Sequence, residues 1–284
     1  VSSPPDQTWF GSAGGYRTFT AIKYLVYCLL SLNIFMFLRE ELLALQYTFV
    51  DDFGLGQVIQ AFAATIDTAA WVILLLLFEL ETSVLDDQRI RGLTRWLLHG
   101  IRGICYVAIG YAFTGYYAEL VTLYQATSLA DPDVCAALGQ GYSVLVDIDE
   151  YVPLDSGNCA SLGADVVQLT GFDILASADT LQSARYLAWT DLLNSAAWIL
   201  VVVVLEVEIR LQLRGELSEQ VMNSTKFIKY LLYAMLFCAA FYWGYAGDFI
   251  DVWDASLWLF AFIFIELNVF EWQYETSQTE AATA

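Results

Sequence analysis

Apolar windows of the length a membrane-spanning helix needs, about 20 residues, recur six times along the chain, at roughly 19–38, 58–78, 96–117, 187–205, 227–246 and 253–270. Trp71 to Phe78 is unbroken by any polar group, and Ala196 to Leu205 is almost as uniform. None of the four prolines falls in a window, so continuous helices are predicted throughout. Gly100, Gly103, Gly110 and Gly115 in the third window predict close approach of a neighbouring helix. Polar and charged residues gather between the windows, chiefly in a long stretch between the third and the fourth.

The even windows share a pattern: a polar residue, Trp four positions on, and Glu eight positions further. It reads Asp67, Trp71, Glu79, then Asn194, Trp198, Glu206, then Asp254, Trp258, Glu266. A second acid follows in two of them, Glu81 and Glu208, with Asn268 in the third. The odd windows share a cation followed four positions later by Tyr: Lys23 and Tyr27, Arg102 and Tyr106, Lys229 and Tyr233. From cation to Glu the separations are 56, 104 and 37 residues, so the middle unit carries an insertion. The fold predicted is all-α and polytopic: six transmembrane helices as three two-helix hairpin repeats, with a small extracytoplasmic insertion between helices 3 and 4.

The units are a polar N-terminal segment 1–15, hairpins over 16–82, 83–215 (including the insertion 118–184) and 216–272, and a polar tail 273–284. Val1 to Gly15 lacks the cationic start and short apolar core of a signal peptide.

Charge orients this arrangement. Of 12 Lys and Arg, only Arg39 and Arg185 fall on the side of the insertion. Lys and Arg concentrate on the cytoplasmic side of membrane proteins, which puts both termini inside and 118–184 outside, across a bacterial cytoplasmic membrane. The 284 residues carry a formal net charge of −20 with 58% hydrophobic residues. That combination excludes an ordinary soluble enzyme, and the lack of a basic surface excludes nucleic acid as a partner. Membrane lipid, other membrane subunits or a second copy of the chain are the expected partners.

On the outer side, Cys135 and Cys159 are either bridged, as an oxidising compartment permits, or two free thiols. Cys28, Cys105 and Cys238 read as small packing residues within spans. Asp147, Asp149 and Glu150 are oxygen donors, but the EF-hand spacing is absent and a solvated acidic cap is the simpler reading.

Candidate chemistry is sparse. The single histidine, His99, has no carboxylate or Cys near it in sequence, and no zinc, Walker or nucleophile-elbow motif occurs. No metal site, cofactor or catalytic residue is expected beyond bound lipid. Three hairpins are a trait of the mitochondrial carriers, whose repeated Pro-x-Asp/Glu-x-x-Lys/Arg is missing here, so no family is assigned.

The recurring charges have two readings. In one, Lys23, Arg102 and Lys229 pair with Glu79, Glu206 and Glu266 across each hairpin. In the other, the three Glu form a carboxylate ring around a pseudo-threefold axis. Asp67 lies well inside a span, where a carboxylate is costly and marks function by default, unless Thr65 or Thr68 satisfies it. Asp254 suits a helix N-cap. The Trp positions suit interhelical packing or interfacial anchoring. The leading expectation is a non-enzymatic membrane subunit or scaffold of a larger assembly. The alternative is a cation or proton channel or transporter using Asp67, Glu79, Glu206 and Glu266.

Overall fold

The computed structural model describes residues 13–48, 55–81, 92–128, 133–148, 150–163, 165–213 and 219–262. The described chain is mostly helical: α1 (Ala13–Thr48), α2 (Leu55–Ala61), α3 (Ala63–Glu79), α4 (Leu93–Tyr124), α5 (Ala178–Leu213), α6 (Glu219–Ala246) and α7 (249–262). Four segments are long and apolar enough to cross a membrane: Arg17–Thr48, Leu93–Tyr124, Ala178–Glu208 and Gln220–Ala246. Their outward faces carry large apolar side chains such as Phe35, Ile104 and Phe241. Water would not tolerate that arrangement over so much surface, but lipid does. These helices mark the chain as a membrane protein.

α1 and α5 each run 36 residues, about 54 Å of rise, far beyond the roughly 30 Å of a hydrocarbon core. α1 runs past the predicted window end at 38, and the 32-residue α4 past that at 117, so Glu40, Glu41 and Glu119 stand on helix instead of loop.

The second window is not the continuous helix its composition predicts. It breaks at Phe62, whose backbone leaves the helical region (φ −127°, ψ 32°), and this separates α2 from the 17-residue α3. Glu41 of α1 fills the break: its carboxylate accepts the Ala64 and Thr65 N–H groups at 2.8 and 3.2 Å, and also the Thr65 hydroxyl. These are among the donors that a helix start leaves unpaired. Of the four glycines in α4, only Gly115 meets a neighbour closely. A Cβ there would lie 2.7 Å from the Ile59 carbonyl and 2.8 Å from Ala63 Cβ, whereas at Gly100, Gly103 and Gly110 it would find open space.

The turn from α6 to α7 uses Gly247 at φ +96°, whose N–H bonds back to the Trp243 carbonyl at 2.9 Å. Asp248 then caps α7 by accepting the Asp251 N–H at 3.2 Å. The N-cap is therefore Asp248 and not Asp254, which sits inside the helix because α7 starts about one turn earlier than the apolar window does.

An all-helical chain is also corrected. Between α4 and α5 lies a five-stranded sheet in the order β1-β4-β5-β2-β3, formed by β1 (Ala126–Ser128), β2 (Ser143–Asp147), β3 (Glu150–Pro153), β4 (Val166–Leu169) and β5 (Ile174–Ser177). Neighbours are antiparallel except β2 and β5, which are parallel. These strands are short, rich in Val, Leu and Ile, and bounded by Asp and Gly turns, so β geometry packs them onto α5 without a long apolar signature. Cys135 and Cys159 are bonded, with Cα atoms 5.2 Å apart across 24 residues. A loop of that size stabilises the sheet region by about 3 kcal/mol. Cys105 is buried, but Cys28 and Cys238 are exposed on helix faces and do not pack inside.

Candidate functional site

The predicted charges resolve into ion pairs at the end of the bundle away from the sheet. Lys23 Nζ lies 2.7 Å from Glu79 Oε1, with side chains only 7% and 6% exposed. Tyr24 donates to the same oxygen at 3.0 Å and Tyr27 to the other at 3.5 Å. Arg102 and Lys229 take different partners from those expected. Arg102 bonds Glu81 at 2.7 Å and Lys229 bonds Glu208 at 2.8 Å, each across 21 residues. The second acid at the end of an even window thus reaches the cation of the next odd window. Glu206 is left to an exposed i,i+4 pair with Arg210. Glu266 lies outside the described residues. Glu79 and Glu206 are each bound to their own cation, and neither has the open geometry of a shared ring.

Asp67 belongs to a different place. It lines a cavity of about 80 Å³ between the helices at the sheet end, room for about five waters. Eight carboxylates line this chamber and, among the described residues, no Lys, Arg or His does. α1 supplies Glu40 and Glu41, α4 supplies Glu119, and α3 supplies Asp67. Asp191 comes from α5, Asp248 caps α7, and Asp251 and Asp254 stand on α7.

The spacing that recurs in the sequence recurs in the wall. Asp67, Asn194 and Asp254 all line the chamber, and so do Trp71, Trp198 and Trp258 one turn below them. The indoles form a connected floor, with ring centroids 6.5 Å apart for Trp71 and Trp198 and 6.3 Å for Trp198 and Trp258. Phe262 packs on Trp198 at 4.5 Å. The odd helices contribute Phe37, Tyr116 and Trp243, each fourteen residues after the cation of its own helix. Glu40 and Glu119 stand seventeen residues after theirs. Both offsets are present in the sequence, with Glu40 and Glu119 lying just beyond the apolar window ends.

Several of the acids already have partners. Asp254 accepts the Asn33 amide at 2.7 Å, Asp191 accepts the Trp243 indole N–H at 3.1 Å, and Glu41 holds the start of α3. Asp67 is less fully met: it is 9% exposed, it faces the Trp71 indole one turn on, and its Oδ1 has no hydrogen-bond partner among the described residues. Thr65, a possible local partner, is turned to Glu41 instead. A buried carboxylate oxygen without a partner costs several kcal/mol unless an ion, proton or water meets it.

The sheet closes over this end through Ile148, which lines the chamber from the turn after β2. Burial pushes the Asp147 carboxyl above the usual carboxylate range. The Ile148 N–H that it accepts works against this, and nearby Asp248 adds to the rise. Below the floor the bundle is solid, with Leu30, Val201, Leu236 and Ala261 almost wholly buried. Asp67 and Glu79 are twelve residues apart on α3, about 18 Å of rise. The arrangement is therefore an anionic chamber at the sheet end, an aromatic floor, an apolar plug, and a buried ion pair at the far end.

Comparison with family models, with curated proteins and with solved structures finds no match to this chain.

Proposed function

We propose that the chain is a six-span membrane protein of three hairpin repeats that loads a cation or a proton into the acidic chamber on its way across the bilayer. One observation carries this reading: eight carboxylates and no basic side chain among the described residues surround one cavity. Low-dielectric walls of one charge sign focus the field and concentrate counter-ions. In this reading α2 with α3 forms the second span, and α7 begins the sixth. The equivalent places of the three polar residues and three Trp around one cavity support the repeat.

The disulfide supports placing the sheet in an oxidising compartment. Together with the Lys and Arg distribution this supports an extracytoplasmic sheet and cytoplasmic termini, and a bacterial inner membrane is the proposed setting. The chamber then faces outward, and the Lys23–Glu79 pair with the plug above it seals the inside. The scaffold reading has no contact of its own to support it, since lipid covers the exposed apolar faces equally well.

The test is flux into proteoliposomes, with cation- and pH-sensitive dyes inside. The protein should give a saturable flux that falls at least tenfold in Asp67→Asn, which keeps the shape of the side chain and removes its charge. Flux indistinguishable from empty liposomes, or unchanged in Asp67→Asn, would remove the proposal.

A further inference from the structure

The geometry points to a small organic ammonium ion as the occupant of the chamber, held between the Asp67 carboxylate and the indoles of Trp71, Trp198 and Trp258 that line the same cavity. This rests on the cation-loading reading above and adds the chemical class of the cation.

A bare divalent metal needs several oxygens converging at 2.0–2.6 Å or so. Among the described residues, no three metal-ligating side chains stand close enough together to hold one. The acids are instead spread around the wall. Asp254, Asp191 and Glu41 are already committed to Asn33, to Trp243 and to the start of α3. They set the sign of the potential and leave the direct contact to another group.

That group is Asp67, which is nine-tenths buried, lines the cavity and has an oxygen, Oδ1, with no hydrogen-bond partner among the described residues. Trp71 sits one turn below it in a chain of three indoles with centroids 6.3–6.5 Å apart. A carboxylate above linked Trp rings is poor at replacing the water shell of a metal ion. It suits an alkylammonium, whose N–H groups go to the carboxylate while its polarised C–H groups lie on the rings. Trp is the strongest cation–π partner, and desolvated sites are where that attraction is largest. Size narrows the class further. A cavity of about 80 Å³ is far below the roughly 300–1,000 Å³ of a drug-sized site, so the ligand has only a few heavy atoms, on the scale of methylammonium.

The test is calorimetric titration of the full chain in lipid nanodiscs with methylammonium chloride, NaCl or CaCl₂ at constant ionic strength. Saturable methylammonium binding is expected, tighter than that of Na⁺ or Ca²⁺. It should weaken at least tenfold in Asp67→Asn and about threefold in Trp198→Phe, which keeps an aromatic ring but a poorer cation partner. Binding of Na⁺ or Ca²⁺ without methylammonium, or proton-coupled flux with no methylammonium binding, would overturn the ammonium assignment and leave cation loading standing. Absence of both binding and flux would overturn the two together. The comparison of the three salts on the unmodified chain decides the class even where a variant folds poorly.

Discussion

Lys23→Met should destabilise the protein by about 3–5 kcal/mol, the cost of leaving one buried charge without its partner. Methionine keeps the length and apolar stem of the side chain, so the loss isolates the ammonium. Glu79 would remain almost wholly buried with only the Tyr24 and Tyr27 hydroxyls as donors, too little to hold a carboxylate away from water. Glu79→Gln alone should cost a comparable amount by stranding Lys23. The double variant should recover much of the loss, because a buried pair replaced as a unit is often near neutral. The other two pairs provide the contrast. Arg102 and Glu81 are 32% and 22% exposed, and removing Arg102 should cost no more than about 1 kcal/mol. Unfolding of each variant by SDS titration in mixed micelles measures the series. Equal effects at Lys23 and Arg102 would contradict the assignment of Lys23–Glu79 as the buried seal.

Gly115→Ala should cost about 1–3 kcal/mol through overpacking and should also displace Asp67. The added methyl would meet a backbone carbonyl and a Cβ, both inside 3 Å, at Ile59 and Ala63. Neither can swing away as the tip of a long side chain does, so α4 must retreat from the α2–α3 break. Ala64 and Thr65, held there by Glu41, would move with it, and Asp67 follows within one turn. Gly110→Ala is the control: it faces open space and should not destabilise. Unfolding measurements on the two variants, with methylammonium titration of each, check both consequences. A Gly115→Ala protein as stable as Gly110→Ala would place the close contact elsewhere.

What was readable in the sequence depended on whether chemistry or periodicity carried the signal. The three polar-plus-Trp pairs stand out because polar residues are rare in apolar windows, and the structure brings all six to one cavity. The cations stand out for the same reason. Their partners were legible only within the first hairpin, because which Glu a long side chain reaches depends on helix rotation and loop length. Those are not written in residue spacing alone.

The chamber's other acids were hidden by their position. Glu40, Glu41 and Glu119 follow the apolar windows and read as loop charges, yet helix runs on to Thr48 and Tyr124 and turns them inward. The break at Phe62 has no Pro or Gly to announce it. It is held by Glu41 from another helix, a tertiary contact that local propensity does not encode. Of the sheet, only the alternation over Tyr142 to Tyr151 is legible as a strand, where β2 and β3 form; strands of three to five residues give a weaker periodic signal than any helix.

A functional entrance facing out of the cell should be reachable from outside by a small cation, and a single thiol on the chamber wall reports whether it is. With Cys28, Cys105 and Cys238 replaced by Ser, Ile148→Cys puts a single free thiol on the chamber wall and leaves all eight carboxylates in place. Right-side-out vesicles would be treated with membrane-impermeant methanethiosulfonates of similar size, one carrying an ammonium and one a sulfonate. Modification from outside is expected, at least tenfold faster with the cationic reagent than with the anionic one after correction for their intrinsic reactivities, with the difference shrinking as salt screens the field. Equal rates for the two reagents, or modification only when the inner face is exposed, would contradict it.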